Sequence, residues 1–212
     1  MKRTILLVLG ALAALLISSS AEAGNRRSVD FDYFPRNEIY LQYGAPSVLE
    51  LSTIRAERNL GTLNDVQLIG KSKNHKFSGA AAFGYSFMVN DRISVGLDFN
   101  YSYASTDIFV KDVKVMNSAV NAYTGTISGH YIYYQEDDIE ISSGAYLGVC
   151  YKDEYLDLYP NDYIAQVKEQ DRAKFAYHIT AVKFRYGNII GVIAELGFGF
   201  RGLVNVGLSI KI

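Results

Sequence analysis

The sequence predicts an all-β protein, a closed antiparallel up-and-down β-barrel of eight strands that crosses a membrane. Apolar and polar residues alternate with a period of two along eight segments, and the connections between these segments alternate between short and long. Several segments alternate for about 10 to 13 residues, whereas soluble strands average about 5 to 6 and a tilted membrane strand needs about 9 to 11. The pattern therefore favours a transmembrane barrel.

Composition excludes several other classes of protein. The chain has 212 residues, 49% of them hydrophobic and 20% charged, which is unlike a disordered chain, a collagen or a helical membrane bundle. It contains 17 Tyr, 11 Phe and 18 Gly but only 3 Pro and no Trp, a mixture that favours strands. The net charge of -1 gives no field that would gather nucleic acid, and a single cysteine, Cys150, allows no internal disulfide.

The first residues have the pattern of a secretory signal peptide. Lys2 and Arg3 precede an apolar run over residues 5–17, and Ala21 and Ala23 form a small-x-small cleavage site. A membrane anchor is the alternative, but about 13 apolar residues are few for a bilayer. The predicted divisions are a signal peptide over 1–23, an N-terminal periplasmic segment over 24–37 and an outer-membrane barrel over 38–212.

Eight candidate strands follow, an even number, as a barrel with both termini on one side requires. The clearest alternation places Ile93, Val95, Leu97 and Phe99 on one face of a strand, and Asn90-Asp91 joins that strand to the one before it in a tight hairpin. The candidates are 38–44, 76–89, 92–104, 122–135, 138–152, 174–186, 189–200 and 203–212.

Connection lengths predict which end of the barrel faces outward. The short connections are 90–91, 136–137 and 187–188, the long ones are 45–75, 105–121 and 153–173, and 201–202 is a short exception on the long side. In outer-membrane barrels the long loops face outside. A soluble lipocalin-like barrel is the alternative, but it needs a polar coat, and the less apolar faces here are rich in Gly, Ser and Ala. Such small residues fit a narrow barrel interior.

Polar residues on those inward faces form the first candidate site. An eight-stranded barrel is only wide enough for its own side chains, so we expect a plug of ion pairs and hydrogen bonds, with a proton or small-solute path as the alternative. We expect Glu38 and Lys211 to lie near each other across the closing seam, and Lys183 or Arg185 to join the network. The predicted members are Glu38, Gln42, Asp98, Asn100, His130, Glu140, Glu195 and Lys211.

A second candidate is the segment TISGH, which places Thr126, Ser128 and His130 on one strand face. A histidine beside a serine can activate its hydroxyl, as in membrane lipases and deacylases. Here the side chains are expected to point into the lumen rather than toward lipid, so no residue is assigned to catalysis. No cofactor and no metal site is predicted.

Two further candidates lie in the long connections. One is acidic, but its carboxylates lack the spacing of a calcium loop; they are Asp153, Glu154, Asp157 and Asp162. We interpret this segment as an exposed loop whose tyrosines contact a partner, namely Tyr155, Tyr159 and Tyr163. Ser47 and Glu50 form a capping box that predicts a short helix within 47–60, with Val48, Leu51 and Ile54 on one stripe. That helix is expected at the barrel mouth, with a lid or partner-binding helix as the alternative.

Three motifs carry a family resemblance. NEIYLQYG at the start of the predicted barrel, IAELGFGFRGLVNVG near the end and the export signal together resemble small outer-membrane β-barrel proteins of the Bacteroidetes type, with the eight-stranded architecture of the OmpA and OmpX type. In NVGLSIKI, the order of Asn205, Gly207, Ile210 and Ile212 resembles the C-terminal signal read by the barrel assembly machinery. The resemblance implies an outer-membrane location.

The sequence thus predicts a non-catalytic integral outer-membrane protein with an envelope-structural or surface-interaction role. Its expected partners are outer-membrane lipid, the assembly machinery, and an extracellular or envelope partner through loops 45–75, 105–121 and 153–173. A barrel that binds or passes a small apolar ligand is the alternative, followed by a lipid-modifying hydrolase.

Overall fold

The computed structural model describes residues 36–54, 57–63, 66–136, 138–159 and 172–212. The predicted signal peptide and its cleavage residues, Ala21 and Ala23, lie outside them. The elements are β1 (Asn37–Ala45), α1 (Val48–Ile54), β2 (Glu57–Leu63), β3 (Val66–Asn90), β4 (Ile93–Val110), β5 (Val113–Glu136), β6 (Ile139–Leu158), β7 (Arg172–Tyr186), β8 (Ile190–Gly199) and β9 (Val204–Lys211).

Eight of the described strands close into an antiparallel barrel, which confirms the predicted fold class. Each strand from β3 to β9 pairs with the next, and β1 pairs with both β9 and β3 to complete the ring. The backbone of Asn37 exchanges two hydrogen bonds with that of Ile212, of 3.1 and 2.8 Å, so both ends of the barrel domain meet at one rim, here called the terminal end. Within the barrel itself, closure leaves these eight strands without a free edge.

The outer face of the barrel is an apolar belt. Because side chains alternate across a strand, every second residue points outward. The exposed fractions reach 63% for Leu97, 63% for Ile127 and 68% for Phe175. Among the described residues, no Asp, Glu, Lys or Arg occupies an outward position within this belt. Tyrosines flank it toward both ends, with Tyr101, Tyr123, Tyr151 and Tyr177 on the far side and Tyr131, Tyr133 and Tyr186 on the terminal side.

Strands replace much of the predicted long loops at the far end of the barrel. β4 and β5 continue as one hairpin through 105–121, and they turn at Lys111 and Asp112, whose φ angles are 47° and 65°. Likewise β3 extends outward over 66–75 and pairs with β2, while β6 continues to Leu158. The parts of β2–β6 beyond the belt, together with the Lys111-Asp112 turn, are called the extended sheet below; they comprise 57–63, 66–76, 104–120 and 153–158.

The barrel wall is consequently uneven in height. Beyond Tyr101, β4 runs on to Val110, which at about 3.3 Å per residue adds about 30 Å along the strand. By contrast β8 ends at Gly199, β9 begins at Val204 and β1 ends at Ala45. The described strands therefore form a tall wall from β3 to β6 and a low wall from β8 through β9 to β1.

The predicted short helix is confirmed, and it lies at the far end. Its capping box is formed, because the Ser47 backbone NH donates to Glu50 Oε2 at 2.6 Å and the Glu50 NH donates to Ser47 Oγ at 3.3 Å. The helix ends at Ile54, and the chain then enters β2 instead of remaining helical toward residue 60. Leu49 is buried whereas Leu51 is exposed, so the predicted stripe through Leu51 is wrong. None of the described helices is long and apolar enough to cross a membrane.

Candidate functional site

The candidate site is the lumen, where the structure places all eight side chains of the predicted polar network. Each of them is at most 8% exposed. Several ion pairs join strands that are not neighbours in the barrel, so these side chains reach across the interior. Three tiers follow from the terminal end to the far end: a cluster of ion pairs, a layer built around Arg201, and an apolar plug.

The lowest tier pairs two carboxylates with three cations. Glu38 Oε1 lies 2.9 Å from Arg185 Nε, and its Oε2 lies 3.4 Å from Lys183 Nζ. Lys211 Nζ lies 2.7 Å from Glu140 Oε2, across the lumen from β9 to β6. Glu38 and Lys211 do face each other in the register of β1 and β9, but the lysine forms its ion pair with Glu140. Glu38 and Lys211 are therefore neighbours across the seam, as expected, but each forms its ion pairs with residues of other strands.

A β-bulge in β7 brings Lys183 and Arg185 into this tier. The register with β8 shifts between Thr180 and Val182, so Ala181 is an extra residue and is exposed. Inward positions on β7 are even-numbered up to Thr180 and odd-numbered from Lys183 onward. One inserted residue therefore supplies two of the cations that neutralise buried carboxylates.

Arg201 organises the middle tier, although it belongs to the connection between β8 and β9. It is 3% exposed, and its Nη1 donates to Asp98 Oδ1 at 3.0 Å. Its second terminal nitrogen donates to Gln42 Oε1, and the guanidinium lies 4.2 Å from the ring centre of Tyr146. Cation–π contact and a charge-assisted hydrogen bond are both strong when water is excluded.

The glycines on either side explain how Arg201 enters the lumen. Gly199 and Gly202 have φ angles of 150° and 127°, values that L side chains rarely adopt. They allow the chain to turn inward between two strands. Sequence reasoning missed Arg201 because residues in a turn have no alternation to follow, and the flanking glycines in GFRG were the available signal.

Four more unpredicted residues complete the middle tier. The Tyr40 hydroxyl donates to Asp98 Oδ1 at 2.5 Å. Glu195 Oε1 lies 2.8 Å from His178 Nε2 and accepts a hydrogen bond of 2.7 Å from Thr180 Oγ1. Tyr146 stands between His130 and His178, edge-on to both, with ring centres 5.0 and 5.5 Å apart. The unpredicted members are Tyr40, Tyr146, His178 and Thr180.

The structure does not assemble the hydrolase candidate. Ser128 and His130 are both buried in the lumen, and neither Ser128 Oγ nor His130 Nε2 has a hydrogen-bond partner among the described residues. Thr126 is half-buried on the same face. A serine activated by histidine needs a direct hydrogen bond between them and access to substrate, and this arrangement offers neither.

An apolar plug closes the top tier. Leu49 from α1 and Phe200 pack against small inward residues of the wall, namely Ala104, Ala122, Cys150 and Ala176. Continued alternation along 189–200 would place Phe200 on the outward face, but it is buried, because the positive φ of Gly199 interrupts the alternation. Glu50 also holds the helix in place, since its Oε1 accepts a 2.9 Å hydrogen bond from the Gly79 NH.

Charges in the two lower tiers of the lumen balance. Of the described residues, four buried cations and four buried carboxylates lie there: Lys183, Arg185, Arg201 and Lys211 with Glu38, Asp98, Glu140 and Glu195. The top tier adds the buried carboxylate of Glu50, which accepts backbone hydrogen bonds. Each of these cations has a carboxylate within 4 Å. The described part of the chain contains no group of three His, Cys, Asp or Glu side chains that could hold a metal ion. This chemistry suits a neutral, hydrogen-bonded core.

The extended sheet carries a different set of charges, which are half-buried or exposed. Asp107 pairs with Lys114 at 2.8 Å and accepts hydrogen bonds from Asn117 and Asn74, of 2.9 and 3.2 Å. Burial would raise the pKa of Asp107, but these hydrogen bonds outweigh it, so the pKa lies below its ordinary value of 3.8. Lys73 and Asp112 form a second pair at 2.7 Å.

The acidic, tyrosine-rich segment begins inside this sheet. Asp153, Glu154 and Asp157 lie on β6, where Glu154 accepts a 2.7 Å hydrogen bond from Ser118, and Tyr155 and Tyr159 are exposed. Asp162 and Tyr163 lie outside the described residues. The segment up to Leu158 is therefore strand and not the loop that was expected.

The C-terminal motif occupies β9 and the residue after it. Asn205 is buried against the lumen, Gly207 is half-buried, and Ile210 and Ile212 are exposed on the belt. This placement gives the motif one polar and one apolar face. Its role in assembly stays a prediction.

Comparison with known proteins yields likeness in structure only. No protein-family model matches the chain, and no curated protein matches it significantly. The crystal structure of Ail, the attachment invasion locus protein of Yersinia pestis, aligns with a TM-score of 0.40 and 12% identity over 84% of this chain and 95% of that chain. The complex of Ail with the heparin analogue sucrose octasulfate gives 0.37 and 12% over 82% and 92%. The closed strand pairing of this chain itself establishes the barrel.

Proposed function

We propose that this protein is a non-catalytic integral protein of the outer membrane that anchors an extended β-sheet at the cell surface for contact with an external partner. One observation carries the proposal: the barrel is apolar outside and charged inside. A soluble barrel would reverse this polarity, since water would face the outside and the core would be apolar. An apolar exterior with a charged interior is the arrangement that is stable when hydrocarbon surrounds the barrel.

The dimensions of the belt support a membrane location. On β4 the apolar outward residues extend from Ile93 to Phe99, and the next outward residue is Tyr101 at the edge of the belt. Tyrosines at both edges fit the headgroup zone, where this side chain is enriched, and barrels of this kind carry an apolar band about 25 Å tall. Ring closure satisfies the backbone groups that lipid could not.

The three tiers support a structural role for the lumen. Ion pairs such as Lys211 with Glu140 cross it, Arg201 fills its centre, and Leu49 and Phe200 cover its far end. A path for protons or small solutes, or a cavity for an apolar ligand, would need space that these side chains occupy. We therefore favour a plug over a passage.

The orientation follows from the connections. Short turns and both barrel ends meet at the terminal end, which we assign to the periplasm, and the extended sheet then faces outside. The C-terminal motif supports insertion by the barrel assembly machinery, and membership in the small outer-membrane barrels of the Bacteroidetes type is part of the proposal.

Fractionation of cells tests the location. We expect the protein in the outer-membrane fraction, with a change in gel mobility between unboiled and boiled samples. Protease added to whole cells should cleave near the Lys111-Asp112 turn and leave the barrel intact. Recovery from the soluble periplasm, without a heat-dependent mobility shift, would contradict the proposal.

Planar-bilayer recordings test the plug. The purified barrel should give no stepwise conductance, whereas discrete channel openings would contradict a filled lumen. Comparing lipid A masses from cells with and without the protein tests catalysis. A mass difference that disappears in Ser128→Ala would overturn the non-catalytic assignment.

A further inference from the structure

The mouth of the barrel holds three cations whose arrangement differs from that of every cation in the lumen. Lys152 on β6 lies directly opposite Arg172 on β7, and Lys174 lies opposite Cys150. These three residues, Lys152, Arg172 and Lys174, are called the mouth cations below. Lys152 is half-buried, and Arg172 and Lys174 are exposed.

The strand register places the mouth cations on the inward face of the wall. Partners in an antiparallel pair point to the same side, and Cys150 and Ala122, which pair with Lys174 and Lys152, are buried in the apolar plug. The mouth cations therefore lie above the plug, on the face of β6 and β7 that looks across the opening toward the low wall.

The mouth cations form no ion pair in the described part of the chain. None of the three forms a hydrogen bond or an ion pair with any described residue, whereas each lumen cation has a carboxylate within 4 Å. The next inward residue of β6 is Glu154, which attracts Lys152 electrostatically without forming an ion pair with it and accepts a hydrogen bond from Ser118.

Three like charges at neighbouring register positions carry an energetic cost. Directly opposite side chains lie about 5 Å apart and diagonal ones about 7 to 8 Å, and like charges opposite each other destabilise a sheet. Packing of the fold does not require these charges, because the side chains of Arg172 and Lys174 are exposed. A bound polyanion would remove it.

We propose that the mouth cations bind phosphate or sulfate ester groups of a saccharide that enters from outside over the low wall. Arginine and lysine are the usual partners of such groups, and the register spacing suits two neighbouring esters on one sugar. A soluble saccharide is favoured over a membrane lipid because the cations face the inside of the mouth, away from the belt. The proposal rests on the proposed outward orientation of that mouth.

Calorimetry on the purified barrel in a zwitterionic detergent tests the site, with myo-inositol hexakisphosphate as the probe and myo-inositol as its neutral control. The triple variant K152Q/R172Q/K174Q should weaken binding of the phosphorylated probe by about tenfold or more. The matched control K71Q/K76Q/K111Q removes the same charge from exposed positions of the extended sheet and should change binding by less than about twofold. Both variants must show the heat-dependent mobility shift of a folded barrel.

Three results would overturn the site: no binding of the phosphorylated probe, equal loss in both triple variants, or retained binding without the mouth cations. A parallel titration into nanodiscs that contain lipid A tests the lipid source. Binding of lipid A without binding of the soluble probe would contradict the saccharide assignment. Because calorimetry in detergent does not depend on cellular location, a negative result leaves the outer-membrane proposal to be judged by fractionation alone.

Discussion

Ion pairs in this protein occur in two settings that differ in their access to water. In the lumen, Arg201 and Asp98 pair at 3.0 Å, with side chains that are 4% and 2% exposed. In the extended sheet, Lys73 and Asp112 pair at 2.7 Å, with side chains that are 49% and 89% exposed. The distances are similar, but the cost of removing one partner is not.

The difference arises from desolvation. A carboxylate that loses its partner inside the barrel has no water to replace it, and breaking a buried pair costs about 3 to 5 kcal/mol. An exposed pair exchanges its partner for water and contributes about 0 to 1 kcal/mol. We therefore expect mutational effects to follow burial and not the distance between the charged atoms.

The largest effect is expected for Arg201→Ala, which leaves Asp98 buried without its cation. The free energy of unfolding in urea, measured in detergent micelles, should fall by about 3 to 5 kcal/mol. Asp98→Asn in the same background removes the stranded charge and should recover part of that loss. If Arg201→Ala lowers the free energy of unfolding by less than about 1 kcal/mol, this pair behaves like an exposed pair, which would contradict the prediction.

A smaller effect is expected in the lowest tier, because Lys183 also interacts with Glu140 and remains when Lys211 is removed. Lys211→Ala should destabilise the barrel by about 2 to 3 kcal/mol, because Glu140 loses its ion-pair partner. A double-mutant cycle between Lys211 and Glu140 should give a coupling energy above about 1 kcal/mol, and the cycle between Lys211 and Glu38 a smaller one. The reverse order would favour the seam pair expected from the sequence.

A modest effect is expected at Asp107, at the margin between the two settings. Asp107→Asn should cost about 0 to 1 kcal/mol. Because the folded pKa of Asp107 is lowered, its contribution is complete above the unfolded value near 3.8 and is lost as the pH falls through the lower folded value. The hydrogen-exchange protection factors of the β4–β5 hairpin amides should therefore fall in that acid range, and less so in Asp107→Asn. An unchanged acid response in the variant would contradict this assignment.

The smallest effect is expected for Lys73→Ala, since Asp112 is exposed to water in either case. The unfolding midpoint should be the same as for the unmodified protein within error. A clear decrease would mean that the extended sheet depends on its surface charges, and the comparison between the two settings would then fail.

Alternation in the sequence was sufficient for the barrel and for the direction of many side chains. Glu38, Asp98 and Glu195 occupy inward positions because each lies in step with the small residues of its strand. Alternation gives the wrong side of the strand where the backbone departs from regular strand geometry. This happens at Gly199, after which Phe200 turns inward, and at the bulge of β7.

Partners and strand ends were harder to predict for physical reasons. Register gives backbone neighbours, but a lysine side chain in a narrow barrel can reach the opposite wall, as Lys211 does toward Glu140. The β4–β5 hairpin turns on Lys111-Asp112, which lacks the Asn-Gly or Asp-Gly signal of a two-residue turn. The sequence therefore predicted a loop where the structure has the outer part of these two strands.

The unequal heights of the wall give the barrel a front and a back on either side of its axis. A large molecule that approaches from the side of β8, β9 and β1 meets the opening directly, whereas one from the side of β4 meets the reverse of the extended sheet. The opening therefore faces one direction, and rotation about the barrel axis decides which neighbouring molecules lie in front of it.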